Sequence, residues 1–467
     1  MAKACTAKVI EECQISPKPT SSSFSSSSPS PPTTSLPLTF LDIPWLFFPP
    51  SQLLFFYEFH HPTSHFTSTV LPNLKHSLSL TLTLFYPFAG TLHFPPKPSK
   101  PNILCCYQND SVSFTVSESG SDFLYLSGDY QRDAKDFHPL VPQLPLPANN
   151  GTHQQLPLLA VRVTVFPNSG ISIGIAYHHV VADGRTFNNF LKTWSAFSSN
   201  LRDSSFTPFY DRRVIVDSNG FEPIFLDEWW KYQNPKSKPS CGEKMVRATF
   251  VVFPTNMELI KNWILSRCDE NNEPHPVHLS PYVLTCSFIW VCLLKARELL
   301  GGLKTKCVRE DPNYFGFIAG GITRMDFPVP TSYVGNCVGF GRSMAKVDEL
   351  LGEDGIVVAA RAIGSTVKRL DKAVLVGAEK WISDWEVLIG SEIHLMASGS
   401  PKVDLYSRDF GWGRPKKIEE IAIDRTRAIS LTESRQVKGG IEVGLVLEKP
   451  QMDAFTSFFI KGLNALS

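Results

Sequence analysis

Leu159-Ala-Val-Arg-Val-Thr-Val-Phe166, Pro167-Asn-Ser-Gly170, Ile171-Ser-Ile-Gly-Ile-Ala-Tyr177 and His178-His-Val-Val-Ala-Asp-Gly184 follow one another without a break. In the first segment Val161, Val163 and Val165 share one face; in the third, Ile171, Ile173, Ile175 and Tyr177 do the same. A period of two is the mark of a strand, and Pro-Asn-Ser-Gly between two such runs is a turn. The pair therefore reads as a β-hairpin. After Gly184 the period changes, and Phe187, Phe190, Leu191 and Trp194 fall on one face of a helix. The two histidines thus stand at a strand–turn–helix corner, held by rigid elements on both sides.

Working outward, Leu74, Leu78, Leu82 and Phe85 give Asn73–Tyr86 a helical spacing. Further helices are predicted near 258–267 and 280–294, a strand over 441–447, and a closing helix through Met452, Phe455, Phe459 and Leu463. Strands and helices are mixed throughout, so the class is α/β (α+β), and 467 residues suit two domains. The boundaries read as 1–200, an irregular crossover over 201–240, and 241–467. Trp229-Trp230 in the crossover reads as packing. Ser16–Ser35 is a Ser/Pro/Thr tract, too poor in apolar surface to offset its ordering entropy, and is expected to be a mobile loop.

Composition excludes several classes. With 45 basic and 44 acidic residues the net charge is +1, so no global field draws the chain to nucleic acid or an anionic membrane. The longest apolar run, Tyr282–Leu294, falls short of the ~20 residues of a membrane span and reads as a buried helix. The N-terminal residues lack the apolar core of a secretory signal. Ten scattered cysteines form no C-x-x-C pair and no zinc-ligand cluster, which predicts free thiols, a reducing cytosol and no metal.

Histidine titrates near neutrality and can take a proton from a hydroxyl, then return it to a leaving group. Strand parity continued past Tyr177 puts His179 on the face of Ile173 and Ile175 and turns His178 the other way. A carboxylate four residues on, Asp183, can fix the loop. The same residues also suit a plain helix cap, with Asp183 and Thr186 closing the helix, and spacing alone does not separate these readings.

His179-x-x-x-Asp183-Gly184 resembles the H-x-x-x-D-G motif of coenzyme A-dependent acyltransferases, and Asp409-Phe-Gly-Trp-Gly413 follows about 230 residues later. The two together, in this order, resemble the plant BAHD acyltransferase family. Leu36–Trp45, Leu74–Leu82 and Gly439–Gly444 are similar to other family segments. Tyr333-Val-Gly-Asn-Cys337 is similar to the Y-F-G-N-C motif of the clade acting on flavonoid and anthocyanin glycosides, with Val334 in place of Phe. The resemblance implies two similar-sized chloramphenicol-acetyltransferase-like domains with a substrate channel between them, a segment within 370–400 exchanged across the interface, a monomer, and acyl-coenzyme A as co-substrate with no bound cofactor.

It also implies residue roles. The catalytic set is His179, Asp183 and Asp409, with Asp409 shaping the coenzyme A side rather than moving a proton. Asp42, Trp45, Ser398, Ser400 and Trp412 are expected at the substrates. Gly184, Arg324, Tyr333, Gly335, Asn336, Cys337, Phe410, Gly411 and Gly413 are expected to build the site, Arg324 as the partner of Asp183. A second arginine common in the family, two residues before Arg324, is Ile322 here. Arg185 either meets a malonyl carboxylate or faces solvent from the first helical turn. The reaction implied is malonyl transfer from malonyl-coenzyme A to a sugar hydroxyl of a phenolic glucoside. The alternatives are a hydroxycinnamoyl donor, a non-catalytic phenolic binder, and a condensation-type domain.

Overall fold

The computed structural model describes residues 6–18, 33–106, 109–146, 154–200, 206–231, 245–302, 310–389 and 391–466. The expected hairpin forms: Leu159–Phe166 and Gly170–Tyr177 pair antiparallel over their full lengths. Both strands are buried, and side chains of alternate parity serve two different cores. Val161, Val163, Ile173 and Ile175 enter the large cluster that also holds Trp194 and Phe410. Ala160 and Ala176, on the other face, meet Leu144.

The hairpin lies within a six-stranded sheet whose order is Ala7–Ile15, Val112–Ser119, Leu159–Phe166, Gly170–Tyr177, Ser51–Glu58 and Lys417–Glu420. A seven-stranded sheet runs Val338–Lys346, Pro312–Gly320, Leu395–Gly399, Ile429–Glu433, Ile441–Glu448, Met245–Val252 and Arg132–Asp133. Each sheet takes its last strand from the far half of the chain. Lys417–Glu420 pairs antiparallel with Ser51–Glu58, and Arg132–Asp133 pairs with Met245–Val252. The crossing strand comes later than the 370–400 segment expected from the resemblance. Within that segment, Trp381, Ile382 and Trp385 pack into the first core, while Leu395–Gly399 stays in the second sheet.

A buried ion network holds the two exchanges together. Glu419 on the crossing strand forms an ion pair with Arg132 at 2.8 Å and accepts from Arg247 at 2.9 Å, and Arg247 also reaches Asp424 at 2.5 Å. The two guanidinium groups flank the ring of Phe137 at 5.1 and 5.4 Å. Burial by itself raises the pKa of Glu419, but Arg132, Lys417 and Arg247 overcome it and hold the group at about 2.

The predicted helices appear at Leu71–Leu84, Gly184–Ser198, Pro254–Glu270, Pro281–Leu299 and Lys449–Ala465. Pro281–Leu299 starts on a Ser280 cap with proline in its first turn and is buried all round from Val283 to Leu294, at the centre of the second core. No helix of the described residues is long and apolar enough to cross a membrane. Two expectations need correction. The crossover is not wholly irregular, because Phe221–Lys231 is a helix that buries Phe221, Phe225, Leu226 and Trp229. Its apolar positions recur at helical spacing, a signal masked by the flanking polar residues. The Ser/Pro tract, of which 19–32 lies outside the described residues, ends earlier than expected, with Thr33–Pro37 paired to Asn102–Cys106. The cysteines among the described residues are free thiols, most of them buried; Cys5, Cys241 and Cys307 lie outside those residues.

Candidate active site

The strand ending at Tyr177 delivers the two histidines to opposite sides, as parity predicts. His178 is 2 % exposed and lies on the face of Ala176 and Ala160, and burial pushes its pKa down to about 4. His179 is only partly buried. Its ring stacks on Trp45, with centroids 3.5 Å apart and planes inclined by 20°, and Trp45 is backed by Trp385 and Phe48. Enclosure by these groups lowers the pKa of His179 to about 4, against smaller raising effects from Asp183, Asn336 and Asp42. At neutral pH the ring is therefore uncharged.

The surrounding hydrogen bonds decide which nitrogen carries the proton. His179 Nδ1 lies 3.0 Å from Asn336 Oδ1. The Asn336 amide nitrogen donates to Asp42 Oδ1 at 2.9 Å, to the His179 carbonyl at 2.9 Å and to that of Val180 at 3.3 Å. All three partners are acceptors, so the amide cannot turn over. Its oxygen must face His179, and Nδ1 must be the donor. The lone pair is then on Nε2.

Asp42 anchors this arrangement and is not a substrate contact, contrary to the sequence expectation. It is 0 % exposed, and its carboxylate accepts from Thr39 N, Thr39 Oγ1, Asn336 N and Asn336 Nδ2, with Arg212 3.6 Å away. Trp45 stacks directly on His179. Arg212 comes from the crossover and donates to the Tyr333 hydroxyl at 2.6 Å. No sequence signal marked Arg212, because its partners lie more than a hundred residues away.

Asp183 faces away from the open side of His179. Oδ1 accepts from Thr186 N at 2.8 Å and caps the helix; Oδ2 accepts from Cys337 N at 3.0 Å. One carboxylate thus clamps the helix that starts at Gly184 to the Gly335–Cys337 segment that carries Asn336. Gly335 has φ +151°, and a Cβ there would stand 2.2 Å from the Arg212 guanidinium, so only glycine fits. The expected Asp183–Arg324 pair does not form. Arg324 bonds Asp371 at 2.9 Å and the Gly320 carbonyl. The arginine beside Asp183 is Arg185, at 3.8 Å, which donates to the carbonyls of Thr331 and Tyr333 and to Thr186 Oγ1. It therefore neither faces solvent alone nor stands free for a carboxylate.

The Asp409 motif lies elsewhere. Asp409 Oδ1 accepts from Gly411 N and Gly413 N, both glycines having φ above +100°. The carboxylate folds its own turn, a structural part rather than a proton carrier. Phe410 packs against Trp194 in the core. Trp412 stacks on Phe410 and lines a cavity of about 430 Å³ with Glu58, Phe59, His60, His61 and His65. Glu58 pairs with Gly170, while Ser51 pairs with Tyr177. Seven residues at ~3.3 Å each put that cavity ~23 Å along the strand from the His179 end, so Trp412 is not placed to touch substrate at the base. Ser400 sits in a turn where its hydroxyl accepts from Lys402 N. Ser398, one residue before the end of the strand Leu395–Gly399, donates to Glu420 at 2.6 Å.

This geometry is a neutral imidazole with a fixed tautomer, held by residues from both the first and the last third of the chain. The Transferase family model matches residues 20–460, and the chain belongs to that family, the plant BAHD acyltransferases. It is an acyltransferase. Among curated relatives it is 36 % identical to malonyl-coenzyme A:anthocyanin 3-O-glucoside-6''-O-malonyltransferase of Dahlia pinnata over 98 % of this chain and 97 % of that one. It is 36 % identical to phenolic glucoside malonyltransferase 1 of Nicotiana tabacum over 98 % and 100 %. It is 35 % identical to coumaroyl-CoA:anthocyanidin 3-O-glucoside-6''-O-coumaroyltransferase 1 of Arabidopsis thaliana over 98 % and 97 %. The crystal structure of vinorine synthase superposes with a TM-score of 0.68 at 18 % identity, covering 96 % of each chain, which is a likeness of fold.

Proposed function

We propose that this protein transfers a malonyl group from malonyl-coenzyme A to a sugar hydroxyl, at the 6-position, of a flavonoid, anthocyanin or other phenolic glucoside. The observation that carries the mechanism is the Asn336-fixed tautomer of His179, which leaves Nε2 as a base. In this reading His179 Nε2 takes the proton of the acceptor hydroxyl as its oxygen attacks the thioester carbonyl. The tetrahedral intermediate collapses, coenzyme A leaves as thiolate, and the imidazolium returns the proton to it. Every step passes through the ternary complex, so no acyl-enzyme is required, and bringing the two substrates together in line supplies much of the rate. The imidazolium formed in transit is supported by Asn336 Oδ1 and, behind it, Asp42.

The relatives support a glycoside acceptor and divide between malonyl and coumaroyl donors. The coumaroyl reading is kept as the alternative on that ground. The division into domains at 1–200 and 241–467, a monomeric state, a cytosolic location and acyl-coenzyme A as co-substrate without a resident cofactor belong to the same proposal. The test is to incubate pure protein with a flavonoid glucoside and malonyl-, acetyl- or p-coumaroyl-coenzyme A, reading thiol release and product mass, with His179→Ala alongside. A malonyl ester that disappears in the variant supports the proposal. An ester from the aromatic thioester alone overturns the donor, and full activity in the variant overturns the base.

A further inference from the structure

Glu420 has no part in the scheme above, and nothing in the sequence singled it out. It is the last residue of the crossing strand, and its register runs Glu420, Leu53, Ile175, Val161 across four strands. Directly opposed residues point to the same face of a sheet. Glu420 therefore shares the face of Ile175 and Tyr177, from which the chain continues to His179; Glu419 points to the other side, into the ion network. Along this face Ile173, Ile175, Phe55 and Ile418 are fully packed. Ser51, Leu53, Glu420 and Ser398 keep accessible surface, as His179 does. These partly open residues follow one face of the sheet from the end of the His179 strand to Glu420, two strands and ~10 Å across.

A carboxyl group withdrawn from water costs free energy unless it is hydrogen-bonded. Its side-chain partner is the Ser398 hydroxyl at 2.6 Å. Arg247 lies near but its guanidinium is held by Glu419, Asp424 and the Glu420 carbonyl. We propose that Glu420 is a positioning residue of the transfer channel, a carboxyl group that orients the Ser398 hydroxyl toward the acyl group of the bound thioester. The chemistry follows from the hydrogen count. A carboxylate accepts the single Ser398 proton and leaves nothing to donate. A carboxylic acid donates its own proton to Ser398 Oγ and frees the serine O–H to point into the channel at a carbonyl or carboxylate oxygen. Burial raises the pKa of Glu420, against the opposing effects of Ser398 and Arg247, which shifts the balance from the first arrangement toward the second.

This inference rests on the thioester-transfer reading of the His179 channel. The variants are Glu420→Ala, Glu420→Gln, Ser398→Ala and the double alanine variant, assayed for kcat and KM with the accepted donor. Loss of one buried hydrogen bond to the acyl group predicts a fall of about ten- to a hundredfold in kcat/KM for each single alanine variant, with no further fall in the double variant. Glu420→Gln keeps a neutral donor and is expected within about threefold of the parent. Melting curves accompany each variant, and the near-isosteric glutamine separates loss of the carboxyl group from loss of fold. Unchanged kinetics in Glu420→Ala, or losses that multiply in the double variant, overturn the proposal. If the parent acylates no glucoside, the function proposed above fails separately, and the present one is then read by calorimetry. Glu420→Ala and Ser398→Ala should weaken binding of malonyl-coenzyme A and leave that of free coenzyme A unchanged; equal binding of both ligands by parent and variants refutes it.

Discussion

Asp183→Asn is the sharpest probe of the clamp. Both carboxylate oxygens of Asp183 accept from backbone N–H groups, Thr186 N at 2.8 Å and Cys337 N at 3.0 Å, in a site only 2 % exposed. Asparagine is nearly the same size but offers one oxygen and one NH2. Whichever way it turns, an NH2 meets an N–H, one bond is lost and a buried donor is left without an acceptor. Losing a charge-assisted bond costs about 1.5–3 kcal/mol, and the orphaned donor adds about 1–3 kcal/mol. The sum, about 2.5–6 kcal/mol, falls on the joint between the helix at Gly184 and the segment that carries Asn336. We expect denaturant unfolding to show a loss of that order. We also expect kcat to fall at least tenfold with KM for the donor little changed, because the damage reaches the reaction through the Asn336–His179 bond. The double variant with Asn336→Ala should then lose little more than the worse single variant, since both break one path. Wild-type stability together with lost activity would refute the reasoning, because Asp183 would then act on the reaction itself. So would losses that multiply.

Three further outcomes follow from named contacts. Because His179 must be neutral to act and its pKa is held at about 4, kcat/KM should stay flat down through pH 6 and fall only as pH drops through about 4; an acid limb near 6.5 in the free enzyme would show that the enclosure by Trp45 is absent in solution. Glu419→Gln removes the shared anion of Arg132 and Arg247 and should destabilise the fold by about 3–5 kcal/mol at neutral pH, read by chemical denaturation. In the parent, the contribution of Glu419 is present above the ordinary carboxylate range near pH 4.5 and should disappear as pH falls through about 2. Arg324→Ala, which breaks a half-exposed pair with Asp371, should cost less than about 1 kcal/mol and leave turnover near the parent value, whereas Arg185→Ala frees the Thr331 and Tyr333 carbonyls and should lower kcat; the reverse order in a thiol-release assay would restore Arg324 as the partner of Asp183.

The sequence by itself determined the elements whose signal is local. The period-two runs at 159–166 and 171–177, the turn between them and the 3.6-period run after Gly184 defined the corner, and parity alone separated His179 from His178. The resemblance carried by His179–Gly184 and Asp409–Gly413 identified the family. What depends on distant chain segments was not legible. Asp42 reads as a substrate contact until Thr39, Asn336 and Arg212 close around it. Arg324 reads as the partner of Asp183 because the family spacing says so, yet Ile322 replaces its companion and Arg185 stands closer. Trp412 carries a motif but sits at the far end of the Ser51–Glu58 strand. Glu419 and Glu420 are adjacent in sequence, and only the pairing of their strand with Ser51–Glu58 sends one into an ion network and the other toward the channel. Hydrophobic periodicity is written in neighbours, whereas the partner of a buried charge is chosen by tertiary packing, which here joins residues hundreds of positions apart.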